Sequence, residues 1–108
     1  MNSNEFRAGL VFVTTPSRQV AEQLAETLIS ERLAACVSFH EINSIYRWQG
    51  ELQRDVEVQL VIKTNLNLCD RLISRIRELH TYGVPEVVAV PIVHGLPDYL
   101  KWMSDQVD

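Results

Sequence analysis

From Leu52 onward, apolar and polar residues alternate through Val56, Val58, Leu60 and Ile62 to Thr64. A repeat of two along the chain is the signature of a β-strand with one apolar and one polar face. Upstream, Ile42, Tyr46 and Trp48 share one parity, and Gln49-Gly50 lies between the two runs as a turn. The pattern predicts a long β-hairpin with Trp48 near its tip. In a chain of 108 residues such a hairpin is expected to reach past its own core, so that another copy of the protein covers its apolar overhang. Aromatic residues are enriched in interface cores, which fits a large ring at the tip. A shorter hairpin with Trp48 folded back onto its own domain would give the same pattern.

The other elements follow from the same reasoning. Residues 1–7 are polar and expected to fray. Leu10-Val11-Phe12-Val13 reads as a strand buried on both faces. Thr15-Pro16-Ser17 then starts a helix, with Thr15 or Ser17 as its cap and Val20, Ala21, Leu24, Ala25, Leu28 and Ile29 at helical spacing. A second strand begins near Ala34. Its apolar residues are odd-numbered up to Phe39 and even-numbered from Ile42, which predicts a bulge around His40 and Glu41, because a one-residue slip exchanges the faces. Asn65 and Asn67 can cap a second helix bearing Leu68, Leu72, Ile73, Ile76 and Leu79. A turn-rich loop, Thr81-Tyr82-Gly83-Val84-Pro85, leads to a fourth strand at Val87-Val88-Ala89-Val90. Pro97 opens a short last helix with Tyr99, Leu100, Trp102 and Met103. The order β-α-β-β-α-β-α predicts a single α+β domain over residues 1–108, a ferredoxin-like split βαβ sandwich with one added helix. Two helices cover one sheet face, and the last helix or partner subunits must cover the other.

An apolar content of 46% and a charged content of 22% suit one folded domain. The net charge of −4 argues against nucleic acid, whose binding demands a basic face. The longest apolar run, residues 87–93, is too short to span a bilayer, and the start of the chain carries no signal-like segment, so no membrane is expected and a cytoplasmic location is. Cys36 and Cys69 form no CxxC pair and have apolar neighbours, so both are expected to be reduced and buried. Apolar surroundings raise a thiol pKa, which makes Cys36 a poor nucleophile. No GxSxG elbow or phosphate loop is present, and the chain is read as non-enzymatic.

Five blocks carry a resemblance: Leu33-Ala34-Ala35-Cys36-Val37, Ser44-Ile45-Tyr46-Arg47-Trp48-Gln49-Gly50, Glu57-Val58-Gln59-Leu60-Val61-Ile62-Lys63-Thr64, Tyr82-Gly83-Val84-Pro85-Glu86 and Pro97-Asp98-Tyr99-Leu100-Lys101-Trp102. In this order and spacing the chain resembles the CutA divalent-cation tolerance family. The resemblance implies a ferredoxin-like fold, a homotrimer assembled through long hairpins, and a role in divalent-metal tolerance with copper as one cation bound. It also implies a copper site at the positions of Val13, Leu79 and His80, where only His80 is a ligand-type residue. His80-Thr81-Tyr82 stands where members often have His-Pro-Tyr.

The histidines His40, His80 and His94 lack zinc-type spacing. The best candidate metal pair is His80 with Glu86, acting weakly or across an interface. Tyr46, Trp48, Lys63, Tyr82, Tyr99 and Trp102 are candidates to line a cleft between subunits. The related PII architecture binds ligands in such clefts, so a small-molecule or ion-sensing module is the alternative function. The same residues also suit a purely structural interface, with Lys63 paired to an acid and the aromatics filling space.

Overall fold

The computed structural model describes residues 5–108. Its elements are β1 (Ala8–Thr15), α1 (Arg18–Ser30), β2 (Cys36–Trp48), β3 (Glu51–Asn65), a 3₁₀ turn (Leu66–Leu68), α2 (Cys69–Leu79), β4 (Val87–Pro91) and α3 (Pro97–Gln106). The four strands form one antiparallel sheet in the order β2-β3-β1-β4. This is the ferredoxin-like α+β plan that the alternation predicted.

Ser17 caps α1, its hydroxyl accepting from the Val20 amide, while Pro16 lies just outside the helix. Asn65 caps the 3₁₀ turn by accepting from the Asn67 amide. Pro97 occupies the first turn of α3, and Leu96 provides no side-chain cap. Of the expected frayed tail, residues 1–4 lie outside the described residues. Residues 5–7 are tied down: Phe6 packs under α3, the Arg7 amide donates to Asn65 Oδ1 at 3.1 Å, and the Leu66 amide donates to the Arg7 carbonyl at 2.7 Å.

The main core lies between α1, α2 and one face of the sheet. Val11 and Val13 of β1, Leu60 and Ile62 of β3, Leu24 and Leu28 of α1, and Leu72 and Ile76 of α2 meet there. A smaller cluster of Ala35, Leu68, Met103 and Val107 sits beneath α3. The β1 run is therefore buried fully on one face only; Leu10 and Phe12, on the other face, are half-buried.

The bulge expected at His40 and Glu41 is absent. β2 pairs with β3 without interruption from Cys36 opposite Lys63 to Trp48 opposite Glu51. What changes along β2 is the layer that covers it. Val37 and Phe39 pack against the helices, whereas Glu41, Asn43 and Ile45 lie beyond them, and the apolar residues move to the opposite face.

β1 ends at Thr15, opposite Val58 of β3. Past that point β2 and β3 pair only with each other, about seven residues per strand, or ~23 Å. The molecule extends 47 × 25 × 25 Å, and its radius of gyration of 14.7 Å exceeds the roughly 13 Å of a compact chain this long. At the tip, Gln49 and Gly50 have φ of 52° and 82°, the two left-handed residues of a tight hairpin turn. Trp48 is 50% exposed and Leu52 63% exposed, so the overhang carries apolar side chains on both its faces.

Candidate inter-subunit site

The sheet face away from α1 and α2 carries the candidate residues, and the structure divides them into two groups. Direct pairing places Cys36, Ser38, His40, Ile42, Tyr46 and Trp48 of β2 on this face with Asp55, Glu57, Val61 and Lys63 of β3. Leu10 and Phe12 of β1 and Val88 and Val90 of β4 join them. Val88 is 51% exposed, and α3 covers only one end of the face.

At the covered end, Lys63 Nζ donates to Tyr99 Oη at 3.1 Å and lies 5.2 Å from the centre of that ring. Tyr99 and Trp102, three residues apart on α3, hold their rings 5.4 Å apart. The hydrogen bond to Tyr99 raises the Lys63 pKa against the opposing effect of burial. Lys63 therefore has a phenol as its neighbour, not the expected carboxylate. Cys36 lies directly opposite Lys63 in the sheet and is only partly buried. Cys69 is also free and partly covered, and burial raises its pKa.

At the hairpin base, Tyr82 Oη donates to Glu57 Oε2 at 3.0 Å, and Tyr46 donates to the Asp55 carboxylate. Glu57 is 7% exposed. Burial, with the bond to Glu57 second, pushes the Tyr82 phenol up to about 12, and the bond to Asp55 raises that of Tyr46. Each tyrosine also feels the carboxylate bonded to the other, so the four groups form one cluster. Trp48 lies farther out, at the turn. Sequence reasoning passed over Asp55 and Glu57. The hairpin register could have revealed the first, because Tyr46 stands opposite Gln53 and diagonally across from Asp55.

His80 caps the end of α2 and is buried. Its Nδ1 accepts from the Tyr82 amide at 3.0 Å, so its Nε2 carries the proton and donates to the Thr14 carbonyl at 2.7 Å. The ring also packs against Tyr82 with centroids 4.8 Å apart. Both nitrogens are thus engaged in fixing the loop before β4, while Glu86 is exposed. The copper site implied at Val13, Leu79 and His80 does not fit this chain: Val13 is buried in the core, Leu79 packs against it, and neither alkyl side chain has a donor atom. Among the described residues no three His, Cys, Asp or Glu side chains converge, and no helix is long and apolar enough to cross a membrane.

The sequence model described as CutA1 divalent ion tolerance protein matches residues 9–106. The chain belongs to the CutA1 divalent ion tolerance family. A divalent-cation tolerance protein CutA from Thermus thermophilus is 45% identical over 97 residues, covering 89% of this chain and 94% of that protein. The chloroplastic CutA 1 of Oryza sativa is 43% identical over 89% of this chain, which spans only 55% of that longer relative. A crystal structure of CutA1 from Oryza sativa superposes with a TM-score of 0.92 at 40% identity, covering 95% of each chain. The family's association with divalent-cation tolerance therefore extends to this chain, and its fold is the CutA1 fold.

Proposed function

We propose that this chain works as a non-enzymatic homotrimer in divalent-metal tolerance, contacting copper or other divalent cations weakly and between subunits. The observation that carries the assembly is the open sheet face together with the unsupported overhang. A two-stranded ribbon is marginal by itself in water, and one with Ile45, Trp48, Leu52 and Val56 exposed needs a partner to cover it. His80 and Glu86 remain the ligand pair for a cation, and the geometry supplies a reason for weakness. A metal at His80 Nδ1 must displace the Tyr82 amide and open the loop that the ring now holds. Calorimetry with copper and zinc on the native oligomer and on His80→Ala tests this. Binding that weakens in His80→Ala and also in Glu86→Gln, whose side chain is exposed, supports the pair, and identical curves for native protein and His80→Ala remove His80 from it.

The second reading is a PII-like module sensing a small molecule or ion in clefts between subunits. What favours it is the half-exposed Tyr99 and Trp102 stack beside the Lys63 ammonium, a combination that suits a flat anionic ligand. Quenching of Trp102 fluorescence by such a ligand, in a Trp48→Phe background, would support this reading over the first.

A further inference from the structure

Two sets of charges lie at opposite ends of the open face without an ionic partner. The ion pairs of the described residues lie on and between the helices, near the chain end and in the loops at α1; none includes Lys63, Asp55 or Glu57. Lys63 meets a phenol, and the two carboxylates meet phenols. Glu57 and Asp55 precede Lys63 on β3 by six and eight positions, or ~20 and ~26 Å along an extended strand, so the charges cannot meet within one chain. Between them the β1 and β4 side of the face is apolar, where Phe12 pairs with Val61 on one side and Val88 on the other and Leu10 pairs with Val90, while Gln59, Thr14, Ser38 and His40 add uncharged polar groups and an imidazole toward β2.

An apolar strip flanked at its two ends by opposite charges suits a surface that meets its own kind. Once covered, a charge without a counter-charge would carry the full cost of desolvation. We infer that a second copy of this chain docks on the face in register, so that Lys63 of each copy is held by the exposed Asp55 of the next, with the buried Glu57 adding negative potential behind it. The two ends differ, so each contact is head-to-tail. A copy that places its lysine on one neighbour still offers its acids to another, and such contacts close into a ring when the rotation allows. This inference rests on the homotrimer reading and adds to it which charges meet and in what direction.

The test is a charge swap followed by sedimentation and circular dichroism, with Lys63→Glu, Asp55→Lys and the two combined. Each single substitution is expected to weaken association by about tenfold or more, because it sets like charges together in a covered site. The combined chain restores part of the loss, since positions 63 and 55 again carry opposite charges while Glu57 stays an acid. Single substitutions without effect, or a combined chain no better than either, would overturn the pairing. A monomeric native protein would instead overturn the homotrimer reading itself. If Lys63→Glu does not fold, Lys63→Gln and Asp55→Asn take its place. Paired groups then lose no more together than the worse single substitution, and fully additive losses overturn the pairing.

Discussion

Replacing His80 with alanine separates a structural histidine from a free ligand. The imidazole accepts from the Tyr82 amide and donates to the Thr14 carbonyl, with bond lengths of 3.0 and 2.7 Å. Each such bond is worth about 1 kcal/mol net, and a buried group left without a partner costs ~1–3 kcal/mol. Loss of the ring's contact with Tyr82, at 4.8 Å between centroids, adds to this. The sum is a destabilisation of about 2–4 kcal/mol. It should appear in urea unfolding followed by circular dichroism at fixed protein concentration. It should be accompanied by faster amide exchange at Tyr82, whose N–H loses its acceptor. A loss below about 0.5 kcal/mol, the scale of surface substitutions, would refute the reasoning and return His80 to the pool of free ligands.

Trp48→Ala should weaken assembly while leaving the core intact: with half of the ring exposed, on the order of 100 Å² remains for a partner to cover, worth ~2.5 kcal/mol per copy. Sedimentation across a concentration series measures this, and an unchanged association curve would place Trp48 outside the interface. Tyr82 has a phenol pKa of about 12 in the fold against an ordinary 10.0, so it binds its proton more tightly folded than unfolded. Its contribution is complete below pH 10.0 and is lost as pH rises from there through about 12. Alkaline unfolding of Tyr82→Phe should lack that component, and identical alkaline profiles would contradict the assignment.

Strong periodicity made much of the fold legible. The alternation of β3, the Gln49-Gly50 turn and the helical spacing of Leu24 and Leu28 translated directly into pairing and core. The parity change in β2 misled for a physical reason. An apolar residue reports only that something covers it, and a bulge and a change of covering layer write the same pattern. β2 runs straight past the helices, and the cover changes instead. Cys36 differs from expectation for the same reason: its apolar neighbours Ala34 and Ala35 are buried, yet it faces the open side opposite Lys63.

The candidate site was legible residue by residue but not as a grouping. Lys63 with Tyr99, and Tyr82 with Glu57, are joined by contacts 36 and 25 residues apart, which only the folded topology creates. His80 has the residue type of a metal ligand, and the sequence does not show what occupies its nitrogens. One of the two hydrogen bonds that occupy them reaches the end of β1, 66 residues away, and the other comes from the Tyr82 amide two residues on.

The proposed assembly of three copies rests on the open face and the overhanging hairpin. Sedimentation equilibrium of the native protein at micromolar concentration tests it most directly. A single species of three times the 12.4 kDa chain mass is expected, and a stable 12.4 kDa monomer would rule the trimer out.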